Sequence, residues 1–144
     1  MRNILFIFII PLLFTACNQN NVTEQKKISD EHITDANEVY LRWTGTNPSA
    51  DVQVEKGQYW QSGHFTSEYI MYLKLKPTTE WWNLYIEQNK LEVKTDSWYQ
   101  QQDTPAWFKP SKNSSQHGPS DFDQGSRYFR DSLTGECYIY EIQL

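Results

Sequence analysis

Apolar and polar residues alternate in several short runs of this chain and follow a helical spacing in one. Glu38 to Trp43 puts Val39, Leu41 and Trp43 on one side, and Tyr40 and Arg42 on the other, which is strand periodicity. Thr44 to Gly57 reads as a loop punctuated by Gly45, Pro48 and Gly57, and Gln58 to Gln61 as a short strand. The strongest strand pattern is Phe65 to Leu75. Phe65, Tyr69, Met71, Leu73 and Leu75 share one face, with Ile70 and Tyr72 on the other beside Lys74 and Lys76. Pro77-Thr78-Thr79-Glu80 then opens a helix, with a threonine cap after the proline and an acid in the first turn. Trp81, Trp82, Leu84, Tyr85 and Ile86 form its apolar face and Glu80, Asn83, Glu87 and Lys90 its polar face. The Trp81-Trp82 pair is expected in the core.

Leu91 to Lys94 is a further short strand. Ser97 to Gln124 is rich in loop residues, with Pro105, Pro110, Gly118 and Pro119. Asp121 and Asp123 beside Phe122 read as turn residues. The chain closes in a hairpin with arms Arg127–Arg130 and Cys137–Ile142. Its turn is Asp131 to Gly135, with Gly135 suited to a positive φ. One helical pattern among alternating runs predicts an α+β domain over residues 38–144. An antiparallel sheet of about four or five strands should carry the Thr79–Lys90 helix on one face.

The first residues belong to a different class. Arg2 supplies a positive charge, Ile4 to Phe14 is apolar apart from Pro11, and Thr15-Ala16-Cys17 follows. Eleven helical residues rise about 16 Å, short of the roughly 30 Å hydrocarbon core, so this is an export signal rather than a membrane span. An ordinary cleavage after Ala16 would need a small residue where Phe14 stands. Leu13-Phe14-Thr15-Ala16-Cys17 resembles instead the lipobox of bacterial lipoproteins: a large apolar residue, two small ones and cysteine, with Phe14 where the family usually has leucine. The resemblance covers residues 1–17. It implies removal of residues 1–16 and a lipid-modified Cys17, whose acyl chains together anchor the protein stably. By the same resemblance, Asn18 after the cysteine, in place of aspartate, implies an outer-membrane address facing the periplasm. Residues 17–37 then read as lipidated cysteine and polar tether, the twenty tether residues spanning about 25 Å as a flexible chain.

Charge narrows the partners. The formal net charge is −5, and removing the signal with its single charge, Arg2, makes it −6. With no basic stripe, nucleic acid is excluded as a partner and membrane contact falls to the lipid. Of six Trp, nine Tyr and seven Phe, all the Trp and Tyr lie beyond the signal, enough for a sizeable aromatic core. With Cys17 committed to lipid, Cys137 has no partner in the chain and reads as a buried, inert thiol in a strand.

No HExxH, CxxC, GxSxG or phosphate-cradling glycine loop occurs. His64 and Glu68, if on a strand, lie about 13 Å apart, too far to share an ion. His32 falls in the tether and His117 in a loop. No metal, cofactor or catalytic residue is therefore expected. Trp98, Tyr99, Trp107 and Phe108 form the one concentrated candidate surface. They either plug the open side of the sheet beneath a long loop or contact a partner protein or glycan. The expected function is a non-catalytic, lipid-anchored envelope domain that binds a periplasmic protein, as an inhibitor or immunity protein would. A basic partner suits its acidic charge. The alternatives are an assembly factor for an outer-membrane complex and a cell-wall enzyme.

Overall fold

A computed structural model describes residues 29–64, 66 and 68–144. The signal segment, Cys17 and Phe65 lie outside the described residues. The fold is α+β, built on one antiparallel sheet. In chain order it comprises β1 (Glu31–Ile33), α1 (Ala36–Thr44), β2 (Val52–Gln61), β3 (Tyr69–Pro77), α2 (Thr79–Gln88), β4 (Leu91–Val93), β5 (Ser114–Pro119), β6 (Arg127–Asp131) and β7 (Cys137–Gln143). The strand order is β1-β2-β3-β7-β6-β5-β4. The sheet has seven strands rather than four or five. No described helix is long and apolar enough to cross a membrane.

Glu38–Trp43, expected as a strand, is the body of α1. The Asp35 carboxylate caps the helix by accepting from the Glu38 amide at 2.9 Å. Gly45 ends it at φ 74°, donating its N–H to the Leu41 carbonyl. Val39 and Tyr40 are buried and Trp43 half-buried, a helical rather than a two-residue spacing, and Leu41 is exposed. The expected tether also ends earlier than residue 37. Glu31, His32 and Ile33 pair with Gln61, Trp60 and Tyr59 as the edge strand, and Ile33 enters the core. A Glu31–Arg42 ion pair ties that strand to α1.

Of the segment expected as a loop, Thr44 to Gly57, the part from Gly45 to Asp51 lies outside any element, whereas Val52 to Gly57 begins β2, with a bulge between Val54 and Lys56. Gly57 sits under α1, where a Cβ would lie 2.8 Å from the Val39 Cβ. It serves close packing, not a turn. β3 is an interior strand, paired to β2 and β7, and both of its faces carry core residues. Tyr69, Met71, Leu73 and Leu75 face the helices, and Ile70 and Tyr72 face the opposite side.

The Thr78 hydroxyl caps α2 by accepting from the Trp81 amide at 3.2 Å. Trp82 is buried, and Trp81, Tyr85 and Ile86 pack beside it. Leu84, expected on that face, is exposed, because two residues from Trp82 is about 200° around the helix. Both helices lie on the same face, where Trp43 of α1 meets Tyr85 of α2 at 5.2 Å between rings.

The terminal hairpin forms as expected. Gly135 at φ 74° donates to the Asp131 carbonyl, and the Asp131 amide donates to Glu136. β5 was not expected as a strand. Its sequence, SSQHGP, carries no alternating apolar residues, and it is held by backbone pairing to β4 and β6. Phe108, with Trp98 and Trp107 beside it, covers the face opposite the helices by packing on Tyr72, Phe129, Tyr138 and Tyr140. The layers are helices, sheet and an aromatic loop.

Candidate functional site

β6 begins and β7 ends at the same edge of the molecule, and two clefts open there on opposite faces of the sheet. The segment from Pro119 to Ser126 joins them, and Gln124 lines both. Gln124 is fixed by a two-way exchange with Leu144, its amide donating to the Leu144 carbonyl and its oxygen accepting from the Leu144 amide.

The helix-face cleft, about 460 Å³, is lined by Tyr69, Phe122, Tyr128 and Glu141 among others. Glu141 points to the helix side because side chains alternate along β7. Its carboxylate accepts from Trp43 Nε1 at 2.9 Å, from the Tyr69 hydroxyl at 3.0 Å and from the Tyr128 hydroxyl. These donors come from α1, β3 and β6, so one carboxylate ties three elements together. Burial, reinforced by the charge on Glu141, pushes the Tyr69 phenol above its ordinary range. Burial, Tyr85 and Glu141 do the same for Tyr128. Both hydroxyls are therefore donors at neutral pH.

The loop-face cavity, about 240 Å³, is lined by Asp96, Trp98, Tyr99, Gln101, Arg127 and Tyr140 among others. Arg127 stands opposite Tyr140 in the β6–β7 register. Its guanidinium donates to both Asp123 oxygens at 2.9 and 2.7 Å, to Asp96 at 2.7 Å and to the Ser126 carbonyl at 2.8 Å. The Arg127 hydrogen bond holds the Asp96 carboxyl below its usual range.

Asp123 also accepts from the Gly125 amide at 2.8 Å, which closes a tight turn over Gln124, directly after Phe122. Phe122 has φ 47° and its side chain is 88% exposed. A bulky residue in the left-handed region is strained, and such strain marks positions that neighbouring structure holds for a use. Phe122, Tyr99 and Leu144 are the large exposed apolar groups of this end.

The four sequence-predicted site residues separate. Phe108 is 1% exposed, its ring meeting those of Tyr72, Trp98, Phe129 and Tyr138. It is the plug of the sheet rather than a contact surface. Trp107 is half-buried against Phe108. Trp98 is half-buried as well and lines the loop-face cavity, with Tyr99 exposed at its rim. Phe122, Glu141 and Arg127 were not singled out. Asp121-Phe122-Asp123 reads as ordinary turn chemistry, and the partners of Glu141 and Arg127 are distant in sequence.

Cys137 is fully buried; its Sγ accepts from Arg130, and burial pushes the thiol up to about 12. His117 lies on β5, not in a loop, edge-on to Trp82 at 6.0 Å, and burial lowers its pKa. His64 lies between β2 and β3, outside both strands, and His32 lies on β1 rather than in a tether. Among the described residues, no three His, Cys, Asp or Glu side chains converge to hold a metal ion. No family model matches the chain, and no curated protein or solved structure matches it.

Proposed function

We propose that this chain is a lipid-anchored lipoprotein of the bacterial envelope whose domain binds a periplasmic protein and performs no chemistry itself. The anchor rests on the resemblance of Leu13–Cys17 to a lipobox, and the outer-membrane address on Asn18. The observation that carries the binding role is the presentation of Phe122. A strained, nine-tenths exposed aromatic directly precedes Asp123, which is tied to a buried arginine. Aromatic anchors held in a fixed shape carry a large share of interface energy, because little conformational freedom is lost on binding. The acidic charge suits a basic partner, of the kind an inhibitor or immunity protein meets.

The test is affinity capture with the full lipidated chain from detergent-solubilised envelopes. The proposal expects a soluble basic protein as prey, and fatty-acid labelling of the wild type that Cys17→Ser abolishes. Capture of a membrane complex would favour the assembly role. Equal labelling of wild type and Cys17→Ser would overturn the anchor.

A further inference from the structure

Strand register decides at which end of the sheet the chain enters the domain. Glu31 opens β1 opposite Gln61, Gln61 stands opposite Tyr69, and Tyr69 opposite Gln143. These four residues form one row across the sheet, at the end where β7 finishes and β6 begins. Just before that row, the Asp30 carboxylate accepts from the Gly63 amide at 2.8 Å and fixes the point of entry. Gln124, bonded to Leu144, places Phe122 at the same end. The β6–β7 turn with Leu133 lies at the other end, beyond the Leu75–Cys137 pair.

With Cys17 in the lipid, residues 18–30 join the anchor to this entry point. A polar chain of that length spans about 20 Å root-mean-square. β3, nine residues long, makes the sheet about 30 Å from end to end. Turning the Leu133 end to the bilayer would require the tether to climb the whole sheet, farther than it spans on average. The Phe122 end therefore faces the headgroups and rides about 20 Å above them. That height falls within the roughly 30 Å of a small domain lying on the lipid. A protein free in solution meets the Leu133 end first, whereas a protein on the lipid meets Phe122 from the side.

Charge selects among the proteins that lie there. Arg42 is paired with Glu31, Arg127 with Asp96 and Asp123, and Lys94 with Asp123. Asp30, Glu68 and Asp121 at this end form no ion pair among the described residues, against one such lysine, Lys90. An acidic end repels an anionic bilayer and attracts a basic protein. Basic proteins in turn gather on anionic lipid.

We infer that the Phe122 end faces the bilayer and that the partner it recognises is a basic protein held on the anionic lipid surface. This rests on the proposed anchor at Cys17 and on recognition at Phe122. Detergent dissolves that surface, so the same protein is soluble when captured from extracts. The experiment reconstitutes the full lipidated chain in vesicles of phosphatidylethanolamine and phosphatidylglycerol, with an acceptor dye on a small fraction of the headgroups. Ser120→Cys and Leu133→Cys, both at exposed positions, each take one donor dye, since Cys17 carries lipid and Cys137 is buried. Energy transfer from position 120 should exceed that from position 133 about twofold or more, the two ends standing about 30 Å apart. In native envelope membranes, a photo-crosslinker on Ser120→Cys should join a protein that a high-salt wash removes, and Phe122→Ala should abolish the product. Equal transfer from the two positions, or more from 133, would overturn the inference while fatty-acid labelling and Phe122-dependent capture still stand. A crosslink that survives the salt wash, or forms equally well with soluble periplasm, would overturn it as well. Absence of any crosslink would overturn recognition at this end and the inference with it.

Discussion

Replacing Phe108 with alanine removes the keystone of the loop layer. The ring is 1% exposed and meets five aromatic neighbours, with centroids 5.1 Å from Tyr72, 5.5 Å from Trp98 and Tyr138, 6.0 Å from Trp107 and 6.3 Å from Phe129. Large-to-small changes at such sites cost about 3–5 kcal/mol, from lost transfer energy plus the cavity left behind. The upper end applies if the rings cannot close in, and these are stiff and held from both sides. Against a total stability of about 5–15 kcal/mol, the domain loses a large fraction of its margin. Trp107 is half-buried and its ring meets Phe108 alone among the rings described, so Trp107→Ala should cost less, about 1–2 kcal/mol. Urea unfolding followed by circular dichroism measures both, with equal slopes required for comparison. A Phe108→Ala midpoint equal to wild type, or a larger loss for Trp107→Ala than for Phe108→Ala, would refute the plug assignment.

Gly57→Ala should destabilise by about 1–3 kcal/mol, read by thermal melting, because its Cβ would stand 2.8 Å from Val39 Cβ and 3.1 Å from the Ala36 Cα. Cys137 should stay unreactive toward a thiol reagent at pH 8 while folded and react fully once the chain is denatured, since burial holds the thiol far above that pH. Asp131 accepts from the Ser111 hydroxyl and from the Thr134 and Leu133 amides, which lower its pKa below the unfolded value of about 3.9. Its contribution is therefore complete above that value and lost as pH falls through the lower folded one. Melting temperature against pH should show this acid limb in wild type and a flatter one in Asp131→Asn.

The hairpin, α2 and the central strand were legible because local signals agree there. Gly135 supplies the turn, Thr78 the cap, and Tyr69 to Leu75 an unbroken alternation. α1 was misread because Val39, Leu41 and Trp43 alternate by accident. The Asp35…Glu38 cap and Gly45 stop were present in the sequence and outrank three apolar residues. β5 has no such signal, because its side chains bury little and its place depends on partners 11 or more residues away in sequence. Trp98 and Tyr99 were visible as an aromatic cluster. The cavity they border was not, since Arg127 and Tyr140 come to it through strand register.

The recognition role of the β6–β7 end is tested most directly by comparing two exposed apolar residues at opposite ends of the sheet. Phe122 is 88% exposed beside the clefts, and Leu133 is 78% exposed in the β6–β7 turn. Neither supports the core, so Phe122→Ala and Leu133→Ala should both melt with the wild type. In quantitative capture from envelope extracts, Phe122→Ala should weaken the partner at least thirtyfold, a hot-spot loss of about 2 kcal/mol. Leu133→Ala should leave it unchanged. Retention of the partner by Phe122→Ala at wild-type strength, with loss in Leu133→Ala, would place recognition at the other end of the molecule and contradict the proposal.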